Sequence, residues 1–238
     1  MVKLFCFPYA GASAQCYARW RRGLPAWLDV RPVELPGRGA RFGEPLHEQL
    51  APLVAQLVTE LRADLHAPYA FFGHSLGALI AFEVAHALRH GGLPQPEQLF
   101  LSGASAPGHR DDERYTRLDA DADLIDELQR LGGTAAAVIH SPELMAMVLP
   151  VLRADFRLCA NYAPVPRPPL TCAVHVLGGD GDAIGAAALQ AWRGETLGTF
   201  SCTSFVGDHF FLHAREAEVL DHLRAHLARL RRSERVCG

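Results

Sequence analysis

The stretch that most constrains the fold is Tyr69-Ala70-Phe71-Phe72-Gly73-His74-Ser75-Leu76-Gly77-Ala78-Leu79. An apolar run leads into Gly-x-Ser-x-Gly, and a helical pattern follows at once. A bare Gly-x-Ser-x-Gly arises by chance in many chains. With a strand before it and a helix after it, the pattern predicts a sharp turn that lifts the Ser75 hydroxyl above the edge of a sheet. Gly73 and Gly77 lack a Cβ, so strand and helix can close around the turn. The N–H of Leu76 falls at the start of the helix, where it can face an oxyanion.

Around this turn the chain alternates. Residues 3–8 read as a buried strand that ends in a small-residue loop, Pro8-Tyr9-Ala10-Gly11-Ala12-Ser13. A helical pattern follows over 17–24, then a strand over 29–35 broken by Pro36-Gly37-Arg38-Gly39. Leu50, Leu53, Val54, Leu57, Val58 and Leu61 share one face of a helix within 46–65. After the serine turn, a helix to about residue 90 ends at Gly91-Gly92, and 98–103 is the next strand. Parallel strands with helical crossovers follow from this order.

Residues 105–169 break the rhythm. They carry a charged segment (110–117), two helical patterns (123–131 and 142–162) and a proline-rich hinge, Pro164-Val165-Pro166-Arg167-Pro168-Pro169. The expectation is one domain in three pieces: core over 1–104, a helical lid over 105–169, and core again over 170–238. Alternation resumes with a strand over 172–177, a helix over 186–197, a strand over 199–206 and a helix over 216–232. Arg229, Arg231, Arg232 and Arg235 form a basic tail, expected to be a solvated helix end.

Composition narrows the function classes. Net charge is −3 with no basic run in the body of the chain, which argues against nucleic acid as the main partner. No window approaches ~18 uninterrupted apolar residues, so no membrane span is expected, and the N-terminus does not read as a signal peptide. Six cysteines (6, 16, 159, 172, 202, 237) are scattered without a Cys-x-x-Cys pair, as buried free thiols are. A reduced, cytoplasmic setting is expected. No His/Cys cluster has zinc spacing, so neither a metal nor another cofactor is expected.

A serine hydroxyl needs an adjacent base, and the base needs a third group to hold its tautomer. In an open parallel sheet these meet only just past the C-terminal ends of strands. Ser75, Asp182 and His209 each follow a strand, in the Ser, Asp, His order of α/β-hydrolases. Of twelve histidines, His86, His90, His222 and His226 lie in helices and read as surface or helix-end residues. His74 should point away from the serine, His109 and His140 fall in the lid, and His175 lies within a strand. His213 is the close rival of His209. Asp180 and Asp182 share one turn and either can reach the imidazole; Asp182 sits further beyond the strand end. Asp208 is expected to shape the loop. The second oxyanion donor, besides Leu76 N–H, is expected from the loop after the first strand, at Ala10, with Tyr9 as the alternative.

Taken together, Phe7-Pro8-Tyr9-Ala10-Gly11, Leu35-Pro36-Gly37-Arg38-Gly39, Phe72-Gly73-His74-Ser75-Leu76-Gly77, Leu131-Gly132-Gly133, Leu152-Arg153-Ala154-Asp155, Gly178-Gly179-Asp180-Gly181-Asp182 and Gly207-Asp208-His209-Phe210-Phe211-Leu212 resemble the type II thioesterases that accompany nonribosomal peptide and polyketide synthases. Two positions depart from the family pattern: Asp208 stands where a second glycine usually precedes the histidine, and Ala12 where a second glycine is common. The resemblance implies an α/β-hydrolase fold, a mostly parallel sheet flanked by helices with a helical lid. It implies release of stalled or misprimed acyl groups from the phosphopantetheine arm of an acyl or peptidyl carrier protein, by a monomer, with Ser75 acylated, His209 as base and Asp182 orienting it. A thiol leaves readily because its pKa is near ~8.5. Arg38 and Arg41 are candidates to meet the pantetheine phosphate or an acidic carrier protein; the alternative is a loop anchored by internal hydrogen bonds. Other functional readings are hydrolysis of free esters or acyl-CoA, and a non-catalytic binding protein on the same fold. A chain-releasing cyclase is less expected, because the chain opens directly on its first strand.

Overall fold

The computed structural model describes residues 1–66, 68–111, 113–118, 120–133 and 136–236, with side chains of 113, 136, 137 and 231–236 left aside. Arg231, Arg232, Arg235 and Cys237 therefore lie outside the side chains described. The strands are β1 (Val2–Phe7), β2 (Leu28–Pro32), β3 (Tyr69–His74), β4 (Gln98–Ser102), β5 (Ala173–Gly179) and β6 (Phe200–Phe205). The helices are α1 (Trp20–Gly23), α2 (Leu50–Leu61), α3 (Leu76–His90), α4 (Asp121–Leu131), α5 (Ala136–Ile139), α6 (Pro142–Ala160), α7 (Ala186–Gln190), α8 (Phe211–Ala214) and α9 (Glu216–Val236).

The strands form one sheet in the order β2-β1-β3-β4-β5-β6, and every pairing is parallel. The two-residue period of the strands sorts side chains to opposite faces. Phe5, Phe7, Phe71, Leu99, Leu101, Val174 and Val176 join a core with α2 and α3. Leu4, Cys6, Ala70, Phe72, Phe100 and Leu177 join a second core with Trp20 of α1 and Val219, Leu223 and Leu227 of α9. Both faces are covered, which is why the strands read as continuous apolar runs.

The chain lays β2 on one side of β1 and β3 on the other. The strand order therefore reverses between β1 and β3, and their C-terminal ends open a crevice at that point. The loop after β1 and the serine turn after β3 flank it.

Between β4 and β5 the described residues hold helices and 3₁₀ turns, with no strand beyond an isolated bridge from Leu170 to Thr196. Leu124, Leu128, Met145, Leu149, Leu152 and Phe156 give this segment a small core of its own.

Several boundaries differ from the sequence expectation. The second strand stops at Pro32, not 35; Val33 N–H makes a last bond to Cys6 O at 2.9 Å as β1 leaves the ladder. Residues 14–23 split into a 3₁₀ turn, Ala14–Tyr17, and the four-residue α1, which place Tyr17 and Trp20 on the Phe72 ring. The 46–65 helix starts only at Leu50, the 186–197 helix gives way to a 3₁₀ turn at Ala191, and the 142–162 helix stops at Ala160. Three histidines read as surface or helix-end residues are more buried than that reading expects. His86 is 3% exposed, because α3 lies between the sheet and α2; burial, with Arg167 and Arg89 nearby, pushes its pKa down to about 3. His222 and His226 are half-buried, and His226 packs on His175 at 3.9 Å between centroids with the rings tilted by 48°.

Candidate active site

Ser75 has φ 54°, and among the described residues it is the only non-glycine at positive φ. Such a conformation costs ~1–3 kcal/mol and persists only where surroundings impose it. They do so here through close backbone packing. A Cβ on Gly73 would run into the Gly77 carbonyl, and one on Gly77 would meet the carbonyls of Phe7 and Pro8. The helix N-terminus is thus pressed against the end of β1. Ser75 N–H is held by Ser102 O at 2.8 Å, and α3 begins at Leu76, leaving its N–H at the helix start.

His209 lies on the loop between β6 and α8, and Asp182 in the turn after β5. Their side chains meet: His209 Nδ1 is 2.8 Å from Asp182 Oδ2, with 8% and 5% of the side chains exposed. Burial pushes the Asp182 carboxyl up, but the hydrogen bond and charge of His209 and the N–H groups of Ile184 and Ala183 outweigh it, so its pKa lies below the ordinary value. The carboxyl is held as an anion beside the imidazole. Ser75 and His209 line the same cavity of about 410 Å³, together with Leu76, Asp182, Arg114 and Arg130.

The two aspartates of the turn have separate partners. Asp180 Oδ1 accepts from Gly207 N–H at 2.9 Å, so it ties the β5 turn to the histidine loop. Asp208 Oδ1 accepts from Phe210 N–H at 2.8 Å and shapes that loop, as expected. A Cβ on Gly179 would strike the Gly207 and Asp208 carbonyls, which explains a glycine ahead of this turn. The rival His213 is engaged elsewhere, 3.1 Å from the Tyr9 hydroxyl.

His74 packs behind the site. It is fully buried, its Nδ1 is 2.9 Å from Ser102 Oγ, and its ring centroid is 5.0 Å from that of His209. Burial, then the nearby His209 and His213, push its pKa well down. Protonation is therefore disfavoured at His74, and it adds little charge beside His209.

A second chamber, apolar and about 30 Å³, shares Ser75, Leu76 and His209 and is closed by Ala10, Leu128, Leu152 and Phe156. In the loop after β1, Gly11 N–H donates to Asp155 Oδ2 at 2.8 Å and Ala12 N–H to Tyr9 O at 3.0 Å. Those two donors are engaged, whereas the expected candidates Tyr9 and Ala10 both line the chamber. A larger groove of about 1070 Å³ lies along α2, α3 and the proline hinge. It holds none of the predicted site residues; convergent chemistry rather than volume marks the site.

Sequence reasoning held Asp155 only as the end of a family segment, Leu152-Arg153-Ala154-Asp155, and gave it no role. It is fully buried on α6 and forms a two-pronged ion pair with Arg38, Nη1 to Oδ2 at 2.6 Å and Nη2 to Oδ1 at 2.7 Å. Arg38 is thus turned inward. Arg41 is likewise paired, with Glu44 and Glu60, so the anchored-loop alternative describes both. The signal for Asp155 was present: it shares the apolar face of α6 with Leu152, Phe156 and Cys159, where a lone acid requires a partner. Gly132-Gly133 also finds its reason. Gly132 closes α4 at φ 80°, and a Cβ on Gly133 would collide with the Phe210 ring beside His209.

Among the described residues, no group of three or more His, Cys, Asp or Glu is arranged to hold a metal, and no helix is long and apolar enough to cross a membrane. The thioesterase domain family model matches residues 2–227. The chain belongs to the thioesterase family. It is 39% identical over 223 residues to LgrE of Brevibacillus parabrevis, covering 92% of this chain and 85% of that protein, which bears the name linear gramicidin dehydrogenase. The fold overlays BorB, a type II thioesterase from the borrelidin biosynthetic cluster, with TM-score 0.87 at 37% identity, over 95% of this chain and 92% of that one. It overlays ClbQ from the colibactin NRPS/PKS pathway with TM-score 0.90 at 32% identity, over 100% and 99%. The resemblance to type II thioesterases and the α/β-hydrolase fold are borne out, and membership makes this thioesterase a thioester hydrolase.

Proposed function

We propose that this thioesterase edits a nonribosomal peptide or polyketide synthase, hydrolysing stalled or misprimed acyl groups from the phosphopantetheine arm of a carrier protein through Ser75, His209 and Asp182. The observation that carries the reading is the buried His209–Asp182 contact at 2.8 Å opening on the cavity that Ser75 lines. Asp182 fixes the tautomer with Nδ1 protonated, leaving Nε2 to take the Ser75 proton. The Ser75 oxygen attacks the thioester carbonyl. The N–H groups of Leu76 and Ala10 receive the developing oxyanion. Collapse expels the pantetheine thiolate, which takes the proton from His209 and leaves an acyl-serine. A water molecule, deprotonated by His209, then attacks the ester; the acid leaves and Ser75 regains its proton.

The segment 105–169 acts as a lid that supplies Leu128, Leu152 and Phe156 to the apolar chamber and shields the acyl group. No cofactor takes part. ClbQ comes from an NRPS/PKS pathway and BorB is a type II thioesterase of a biosynthetic cluster, which supports a carrier protein as the substrate's bearer. The dehydrogenase in the name of LgrE is matched by neither the family nor a triad-like contact.

The test compares kcat/KM on an acyl-loaded carrier protein, the same acyl-CoA and a small free ester. The reading expects the carrier-bound substrate to lead. A lead for free esters overturns it in favour of a general esterase, and a lead for acyl-CoA removes the carrier protein as partner.

A further inference from the structure

We propose that Asp155, clamped by Arg38, is a positioning residue that sets the oxyanion loop from the helical segment. The inference rests on the acyl-transfer reading above. The loop after β1 must hold a backbone N–H still while charge develops, and small-residue loops do not hold themselves. Gly11 sits at φ 76°, and the space beside its Cα is closed by Leu152 Cδ1, 3.3 Å from where a Cβ would lie. Helix α6 therefore packs directly onto the loop. One turn further along α6, Asp155 Oδ2 accepts Gly11 N–H at 2.8 Å, one residue beyond Ala10.

The carboxylate cannot swing away, because the Arg38 guanidinium takes both its oxygens, and Arg38 Nη1 also reaches Ala12 O at 3.4 Å. Such a fork fixes direction as well as distance. Only 7% of Arg38 and none of Asp155 reach water, and Arg38 Nε is buried without a partner. Replacing a buried pair of this kind with apolar groups is often neutral for stability. Stability alone therefore does not account for it; a fixed geometry between residues 11, 38 and 155 does. Glu34 brackets the far end of the loop, accepting Ala14 N–H at 2.9 Å.

The test uses the double variant Arg38→Met/Asp155→Leu, which removes both charges together, and the single variant Asp155→Asn, which keeps an oxygen for Gly11 but loses the charge. Four readouts are taken: kcat, KM, inhibition by a trifluoromethyl ketone thioether that forms an oxyanion on Ser75, and inhibition by the matching unreactive thioether. The double variant is expected to lose about 10–100-fold in kcat with KM within about threefold, since small misplacement of a reacting group costs up to ~10². The ketone weakens in parallel and the plain thioether does not. Asp155→Asn shows the same split at about 3–10-fold, as a partial loss of that donor geometry, and decides the matter if the double variant does not fold. Folded variants whose kcat and ketone affinity equal those of the wild type overturn the inference, as does a loss shared equally by ketone and thioether. A wild-type enzyme that neither turns over thioesters nor binds the ketone instead overturns the acyl-transfer reading itself.

Discussion

At the strand ends, Asp182 binds an imidazole, a ring whose second nitrogen can accept or donate a proton. In the helical segment, Asp155 binds a guanidinium, a planar fork that only donates hydrogen bonds. The two carboxylates are each buried, and each also accepts a backbone N–H, from Ile184 and Gly11 respectively. What separates them is the partner. In the proposed mechanism the strand-end loops move the proton and the segment above them sets geometry.

The largest effects should fall on the strand-end side. Ser75→Ala should lower kcat by about 10⁴-fold or more, and Asp182→Asn by about 10³–10⁴-fold, with melting temperature nearly unchanged. Asp180→Asn should cost far less, because the amide still offers an oxygen to Gly207. Equal losses at 180 and 182, read by steady-state kinetics, would break the division of labour within that turn.

Next comes the close approach that holds the serine turn. Gly77→Ala places a methyl against the Phe7 and Pro8 carbonyls and should destabilise by about 3 kcal/mol in urea unfolding. A neutral result would mean that the strain at Ser75 is not imposed by β1.

Acid separates loss of fold from loss of chemistry. His175, 2% exposed, stacked on Phe100 and packed against His226, has its pKa pushed down from 6.5 to about 3 by burial, then by His226, His222 and Arg229. Its folded pKa is depressed, so the unfolded chain binds the proton first. Stability from this group is full above pH 6.5 and declines as pH falls toward 3. His175→Gln should flatten that decline by up to ~1.4 kcal/mol per pH unit. An unchanged slope in pH-dependent unfolding would show that the stack titrates as freely in the folded state.

The smallest effect belongs to the rim of the segment. Arg157 and Glu48 pair at 2.8 Å with both side chains over 40% exposed, so Glu48→Ala should shift stability by less than about 1 kcal/mol. A larger loss in thermal unfolding would mean that α6 is held from its surface rather than through Asp155.

How much of this was legible in the sequence divides along the same line. Strand-end residues announce themselves, because an apolar run followed by Gly and a polar residue fixes both position and direction. The places of Ser75, Asp182 and His209 just past strand ends were read that way, and the parallel alternation with them. The site's second layer was harder. Asp155 and Arg38 are 117 positions apart, and their pairing depends on how α6 packs onto the sheet. His222 and His226 read as surface or helix-end residues because they lie in a helix, yet His226 packs on His175 and His222 on His226. The boundary shifts at 32–35 and 160–162 arise where a neighbouring strand or a helix cap ends pairing, which local pattern does not carry.

The most direct measurement is peptide mapping by mass spectrometry after reaction with a fluorophosphonate, on the wild type and on His209→Ala. The account predicts a single adduct on Ser75 that forms rapidly in the wild type and at least about a hundredfold more slowly without the imidazole. An adduct on another residue, or equal labelling rates in both proteins, would contradict it.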